Sequence, residues 1–229
     1  MAVARRETPA IAAANAEAHA ARSPGALVTL EGIDGSGKST LARQLHARLV
    51  DRGVDAVLTS EPTSTWLGEA VRRGIREAPD PFVDAFLFLA DHADHVVRIR
   101  AWIDQGQVVV SDRYGESCLA YQAASLQPRL AASGTDALAW LRGAQAPFHR
   151  APDVCLLLDL PAEEALRRIA GRAEHEKFEQ AAFLERVRGN YLALAKHEPW
   201  FEVLDATRSP AESLERAWQA LVRRGIAPL

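Results

Sequence analysis

Long apolar runs are missing from this 229-residue chain, and nothing in it approaches the ~18 consecutive apolar residues that a membrane-spanning helix requires. An excess of one charge is missing too, with a formal net charge of -3. Whole-surface attraction to nucleic acid is thereby excluded, and any phosphate chemistry must be local. Cysteine is limited to Cys118 and Cys155, at no metal-ligand spacing. That excludes a disulfide framework and a zinc site and fits a reducing compartment. Lysine is rare among the cations: Lys38, Lys177 and Lys196 stand against a combined Lys and Arg total of 27. What is present is ordinary for a folded domain, 48% hydrophobic and 25% charged residues, enough for a substantial core. These features lead us to expect a cytoplasmic protein with no nucleic-acid or membrane partner.

The first 24 residues stand apart as an Ala-rich extension that ends at the breaker Ser23-Pro24-Gly25. They lack the continuous apolar core of a secretory signal and read as weakly structured. From residue 25 to 229 the pattern is that of one domain. Apolar runs of strand length fall at Ala26 to Glu31, Val54 to Thr59, Val108 to Val110, Val154 to Leu160 and Phe201 to Leu204. The spacers between them are long and helical, as crossovers between parallel strands require. One helix is marked by Leu41, Leu45 and Leu49, and a long one within 79–105 by Phe82, Phe86, Leu89, Val96 and Ile99. The expected fold class is α/β: a three-layer, doubly wound domain on a five-stranded parallel sheet, of the P-loop kinase type.

The strongest motif is Gly32-Ile33-Asp34-Gly35-Ser36-Gly37-Lys38-Ser39-Thr40, which matches G-x-x-x-x-G-K-[ST] between a strand and a helix. The chemistry needs those residue types. Glycines let the backbone curl so that its N–H groups face phosphate oxygens, and the helix N-terminus adds positive potential. Lys38 supplies a compact charge for the β- and γ-phosphates, and the Ser39 hydroxyl is a ligand for Mg²⁺. At the end of the third strand Asp112 is placed to hold Mg²⁺ directly or through water, and Arg113 to clamp an anion. An internal Asp–Arg pair remains the plainer reading of those two.

The ordered set resembles the thymidylate kinases. It comprises Glu31 through Thr40, Glu61-Pro62-Thr63, Asp112-Arg113-Tyr114, Ser117, Tyr121-Gln122, Leu158-Asp159-Leu160-Pro161 and the stretch Arg168 to Glu179. The resemblance implies transfer of the γ-phosphate of ATP to dTMP, with Mg²⁺, by a homodimer. It also implies residue roles. Asp34 helps fix the acceptor and Arg113, and Arg113 holds the dTMP phosphate. Phe88 stacks on thymine, Tyr121 packs beneath the deoxyribose, and Ser117 and Gln122 border the same pocket. Because the loop carries no arginine, catalytic charge comes from a lid at about 168–180, with Arg172 foremost and Arg168 and Lys177 assisting. From periodicity alone Phe88 is equally a core residue, and without the resemblance the lid's mixed charges read more readily as a solvated helix face.

Three positions depart from the family pattern. His92 stands where arginine commonly donates to the thymine carbonyl, Ser60 precedes Glu61-Pro62 where arginine is frequent, and Cys118 replaces a polar residue. Arg72 or Arg73 could compensate for Ser60. All three are expected in or near the acceptor pocket, with Glu61, His92 and Cys118 among its contacts. A deoxynucleoside kinase is the rival reading, because Glu61-Pro62 followed by Trp66 resembles that family's base motif. A sugar hydroxyl needs such a base, whereas a phosphate acceptor does not. A monophosphate kinase of other base specificity, or a regulatory ATPase sharing only the phosphate loop, completes the alternatives.

Overall fold

The structure, a computed structural model, describes residues 25–77, 80–169 and 174–229, with 174–179 described by their backbone alone. The N-terminal extension, Gly171 and Arg172, and the side chain of Lys177 lie outside that description. Five strands form one parallel sheet: β1 (Ala26–Glu31), β2 (Ala56–Ser60), β3 (Val108–Asp112), β4 (Val154–Asp159) and β5 (Phe201–Asp205). Their spatial order is β2-β3-β1-β4-β5. The described helices are α1 (Lys38–Asp51), α2 (Trp66–Glu77), α3 (Pro81–Asp104), α4 (Gly115–Leu130), α5 (Ala137–Gln145), α6 (Ala162–Ile169), α7 (Glu174–His197) and α8 (Pro210–Arg223).

A strand covered on both faces needs apolar residues at every position, and β1 is buried throughout. Val28 and Leu30 join a cluster with Leu41, Leu45 and Leu49 of α1 and with Trp218 and Leu221 of α8. Leu27 points the other way, into a cluster with Val96 and Ile99 of α3. Helices therefore pack on both sides of the sheet, the doubly wound architecture that the alternating pattern predicts. Where the second strand is expected from Val54, pairing begins at Ala56. The reason is local: Val54 N–H still donates to Leu49 O at 3.0 Å, closing the turn after α1.

Two of the helix starts around the sheet carry strong sequence signals. Asp80 caps α3 by accepting from Phe82 N–H, ahead of Pro81. Ser209 and Glu212 form a reciprocal capping box on α8. Parallel pairing aligns the C-terminal ends of β1, β3 and β2, with Leu30 and Ser60 both opposite Asp112. Glu31, the phosphate loop, Glu61 and Arg113 thus emerge at one edge, beside the position where chain order reverses. Ligands of such sheets bind there.

Candidate active site

The loop between β1 and α1 departs from ordinary backbone at Gly32, whose φ is 135° and whose missing Cβ would stand 2.6 Å from Leu158 O. A side chain there has no room, so the tight curl requires glycine. Inside the curl Lys38 Nζ donates to Ile33 O at 2.8 Å and lies 3.4 Å from Ser36 Oγ. Lys38 is 5% exposed, and burial pulls its amine down to about 7. An anion beside it would reverse that shift. Ser39 and Thr40 are exposed at the start of α1, where N–H groups lack intrahelical partners.

Arg113 follows β3 with φ of 70°, the one described non-glycine residue in the left-handed region. Its N–H donates to Leu30 O at 3.0 Å, and Ser111 Oγ donates to its carbonyl at 2.6 Å, so neighbours hold the conformation. Its guanidinium donates to Asp34 Oδ1 at 2.5 Å and to Ser117 Oγ at 2.9 Å, and lies over the Tyr121 ring at 4.9 Å. Tyr121 OH accepts from Asp34 N–H at 3.0 Å, tying the phosphate loop to α4. Ser117 Oγ is also 2.5 Å from Glu31 Oε2 and 2.8 Å from Tyr191 OH. Burial raises the Glu31 carboxyl to about 7, against the lowering pull of Ser117, Arg113 and Tyr191.

A cavity of about 440 Å³ opens beside this cluster. Asp34, Arg113, Ser117, Tyr121 and Gln122 form one side, and Phe88 of α3 forms another. Arg113, Ser117, Tyr121, Gln122 and Phe88 are the expected acceptor contacts that meet here, together with Asp34 of the phosphate loop. Asp84, Ile75, Pro62 and Phe183 are among the other residues on the wall, which the sequence pattern does not single out as acceptor contacts. Asp84 could have been found from helical spacing, since it lies one turn before Phe88 on the same face. Burial raises its carboxyl above the usual range, partly offset by an N–H from Gln122.

His92 and Cys118 are not on that wall. Cys118 is 2% exposed and packs with Ala85, Leu89 and Leu119 in an apolar cluster. His92 is fully buried, with Nδ1 2.9 Å from Glu61 Oε1 and Nε2 3.1 Å from His149 Nδ1. The same Glu61 oxygen accepts from His95 Nδ1 at 2.8 Å. Glu61 is likewise absent from the cavity lining. Burial pushes its carboxyl up, but His92 and His95 more than offset this and leave it at about 2. Arg72 donates to Pro62 O at 3.3 Å, at the cavity rim, whereas Arg73 is exposed and bonded to Glu77.

On the other side of the phosphate loop lies a cavity of about 120 Å³ lined by Gly37, Thr40, Arg168 and Arg208, among others. Arg168 Nη2 donates to Ala206 O at 3.0 Å, which fixes it there. Asp112 Oδ1 is buried with no hydrogen-bond partner among the described residues. A buried carboxylate oxygen facing no donor, at the end of the strand that pairs with β1, suits a hard divalent cation such as Mg²⁺.

Residues 30–217 match the family model described as thymidylate kinase. Among curated relatives, the protein named probable thymidylate kinase from Methanoculleus marisnigri is 45% identical over 201 residues, covering 87% of this chain and 95% of its own. Proteins of the same name from Methanococcoides burtonii and Halorubrum lacusprofundi are 41% and 45% identical, covering 86% and 85% of this chain and 96% of each relative.

Proposed function

The chain belongs to the thymidylate kinase family, and we propose that it transfers the γ-phosphate of ATP to dTMP, giving dTDP and ADP for dTTP synthesis. The observation that carries this reading is the pairing of two anion sites across one loop. Lys38 and the loop N–H groups serve the donor, and Arg113, held by Asp34 and Ser117, serves the acceptor phosphate. Phe88 and Tyr121 supply ring faces for a base and a deoxyribose in the larger cavity. Arg168 and Arg208 flank the smaller one, which suits the nucleoside of ATP.

Little covalent work falls to the protein. A 5′-monophosphate has its second pKa near ~6, so its attacking oxygen is already mostly ionised at neutral pH. The chain must hold two polyanions in line, neutralise the charge between them and exclude water. Ser39 and Asp112 would hold Mg²⁺, which supplies positive charge at the phosphates. Arg172 and Lys177, on the lid at about 168–180, are assigned the remaining charge.

The free-nucleoside reading is not favoured. A base should titrate near the working pH, and Glu61, at about 2 and bonded through one oxygen to two histidines, does not. Two free, buried cysteines fit a reducing, cytoplasmic setting, and no described helix is long and apolar enough to cross a membrane. Val83, Phe86 and Val97 lie exposed on α3 and support a homodimer packed through helices. The test is an ADP-release assay with dTMP, dUMP, dCMP, UMP and thymidine as separate acceptors. dTMP should be the fastest and thymidine inert.

A further inference from the structure

We propose that Asp84 is a positioning residue that locks the amide of Gln122 and so selects nucleobases bearing a hydrogen on N3 over those bearing a lone pair there. The inference rests on the reading of the larger cavity as a dTMP pocket and adds to it how the base is chosen. With His92 bonded to Glu61 and His149, and Cys118 in the apolar core, neither is free to read a base edge. Polar groups on the wall near Phe88 must do so, and Asp84 and Gln122 are both there.

Asp84 stands one helical turn before Phe88, so the two side chains share a face of α3, opposite Gln122 on α4. Gln122 Nε2 donates to Asp84 Oδ2 at 3.1 Å. An ionised carboxylate only accepts, so the amide must turn its NH₂ toward Asp84 and its carbonyl away. Gln122 is 4% exposed, and its Oε1, like Asp84 Oδ1, is buried without a hydrogen-bond partner among the described residues. Buried acceptors left unmatched are costly, and these two call for donors from whatever fills the cavity.

A thymine or uracil ring stacked on Phe88 brings one such donor, N3–H, to the Gln122 carbonyl. The second hydrogen on Nε2 remains for an adjacent ring carbonyl. Cytosine would set its N3 lone pair against the same carbonyl oxygen. A free glutamine would repair this by turning its amide, which exchanges donor and acceptor. Asp84 forbids the turn, because the carboxylate would then face an oxygen.

The test is the ratio of kcat/KM for dTMP over dCMP in the wild type, Asp84→Asn and Asp84→Ala. Asparagine can donate or accept and alanine does neither, so both release the amide, and the ratio should fall by about 10- to 100-fold. A ratio is independent of the folded fraction, so partial misfolding does not mask the effect. A merely structural tie between α3 and α4 would lower both rates and leave the ratio unchanged, which would overturn the proposal. The unaltered protein gives a second arm: dTMP methylated at N3 should not compete with dTMP, and equal competition would also overturn it. A wild type that ignores dTMP would sink the family-based reading, whereas a dTMP-selective wild type with an indifferent Asp84 would sink this inference alone.

Discussion

His92 Nδ1 donates to Glu61 Oε1 at 2.9 Å, and His92 is completely shielded from solvent. His95 donates to the same oxygen, with its other ring nitrogen 2.8 Å from Thr59 Oγ1. Glu61 is thereby held as a carboxylate and tied to α3 and β2, a structural anchor behind the phosphate-acceptor cavity. A group in that state has little tendency to take a proton from a substrate.

Replacing Glu61 with glutamine should therefore spare transfer and weaken the fold. The amide oxygen still accepts from both rings, so kcat for dTMP should fall less than about tenfold, while stability falls by about 1–3 kcal/mol. The sign with pH follows from the depressed carboxyl. Its contribution is present above the ordinary value of 4.5 and is lost as pH falls through about 2. Urea unfolding of the two proteins should thus converge in strong acid. A kcat loss of about 10³-fold or more would restore Glu61 as a base.

Lys38 sets a pH dependence on nucleotide binding. Burial leaves its amine at about 7 without an anion, and a bound polyphosphate pulls it upward. Above pH 7 binding must take up a proton, so affinity for ADP should decline as pH rises. Calorimetry at pH 8 in buffers of different ionisation heat should register the uptake. Lys38→Ala should abolish it and lower transfer by about 10³-fold or more. Uptake unchanged in that variant would place the proton elsewhere.

Arg113→Lys should separate the acceptor site from the donor site. The guanidinium reaches Asp34 and Ser117 at once and lies over Tyr121, a fork that an ammonium cannot reproduce. KM for dTMP should rise by about 10- to 100-fold with KM for ATP nearly unchanged. Steady-state kinetics with each substrate varied in turn would show the split. Equal increases for both substrates would contradict it.

The phosphate loop was legible because its chemistry admits few residue types and its flanks are a buried strand and a periodic helix. Ser117 and Tyr121 reached the cavity for a related reason: a spacing of four residues puts both on one face of α4. Cys118 shares a helical row with Gln122, so its place among Ala85, Leu89 and Leu119 is set by how α3 packs on α4 and not by spacing. His92 misled because its spacing from Phe88 puts it near the pocket, while its orientation depends on Glu61, His95 and His149, which no local pattern brings together. Asp84, Ile75, Pro62 and Phe183 come from separated segments that only the packed helices unite.

Label transfer from ATP bearing ³²P in its γ-phosphate, offered equal concentrations of thymidine and dTMP, puts the two acceptor chemistries in direct competition. A site that joins two polyanions with cations and no base should place the label in dTDP and leave thymidine untouched. Label appearing in dTMP, with little dTDP formed, would contradict the account.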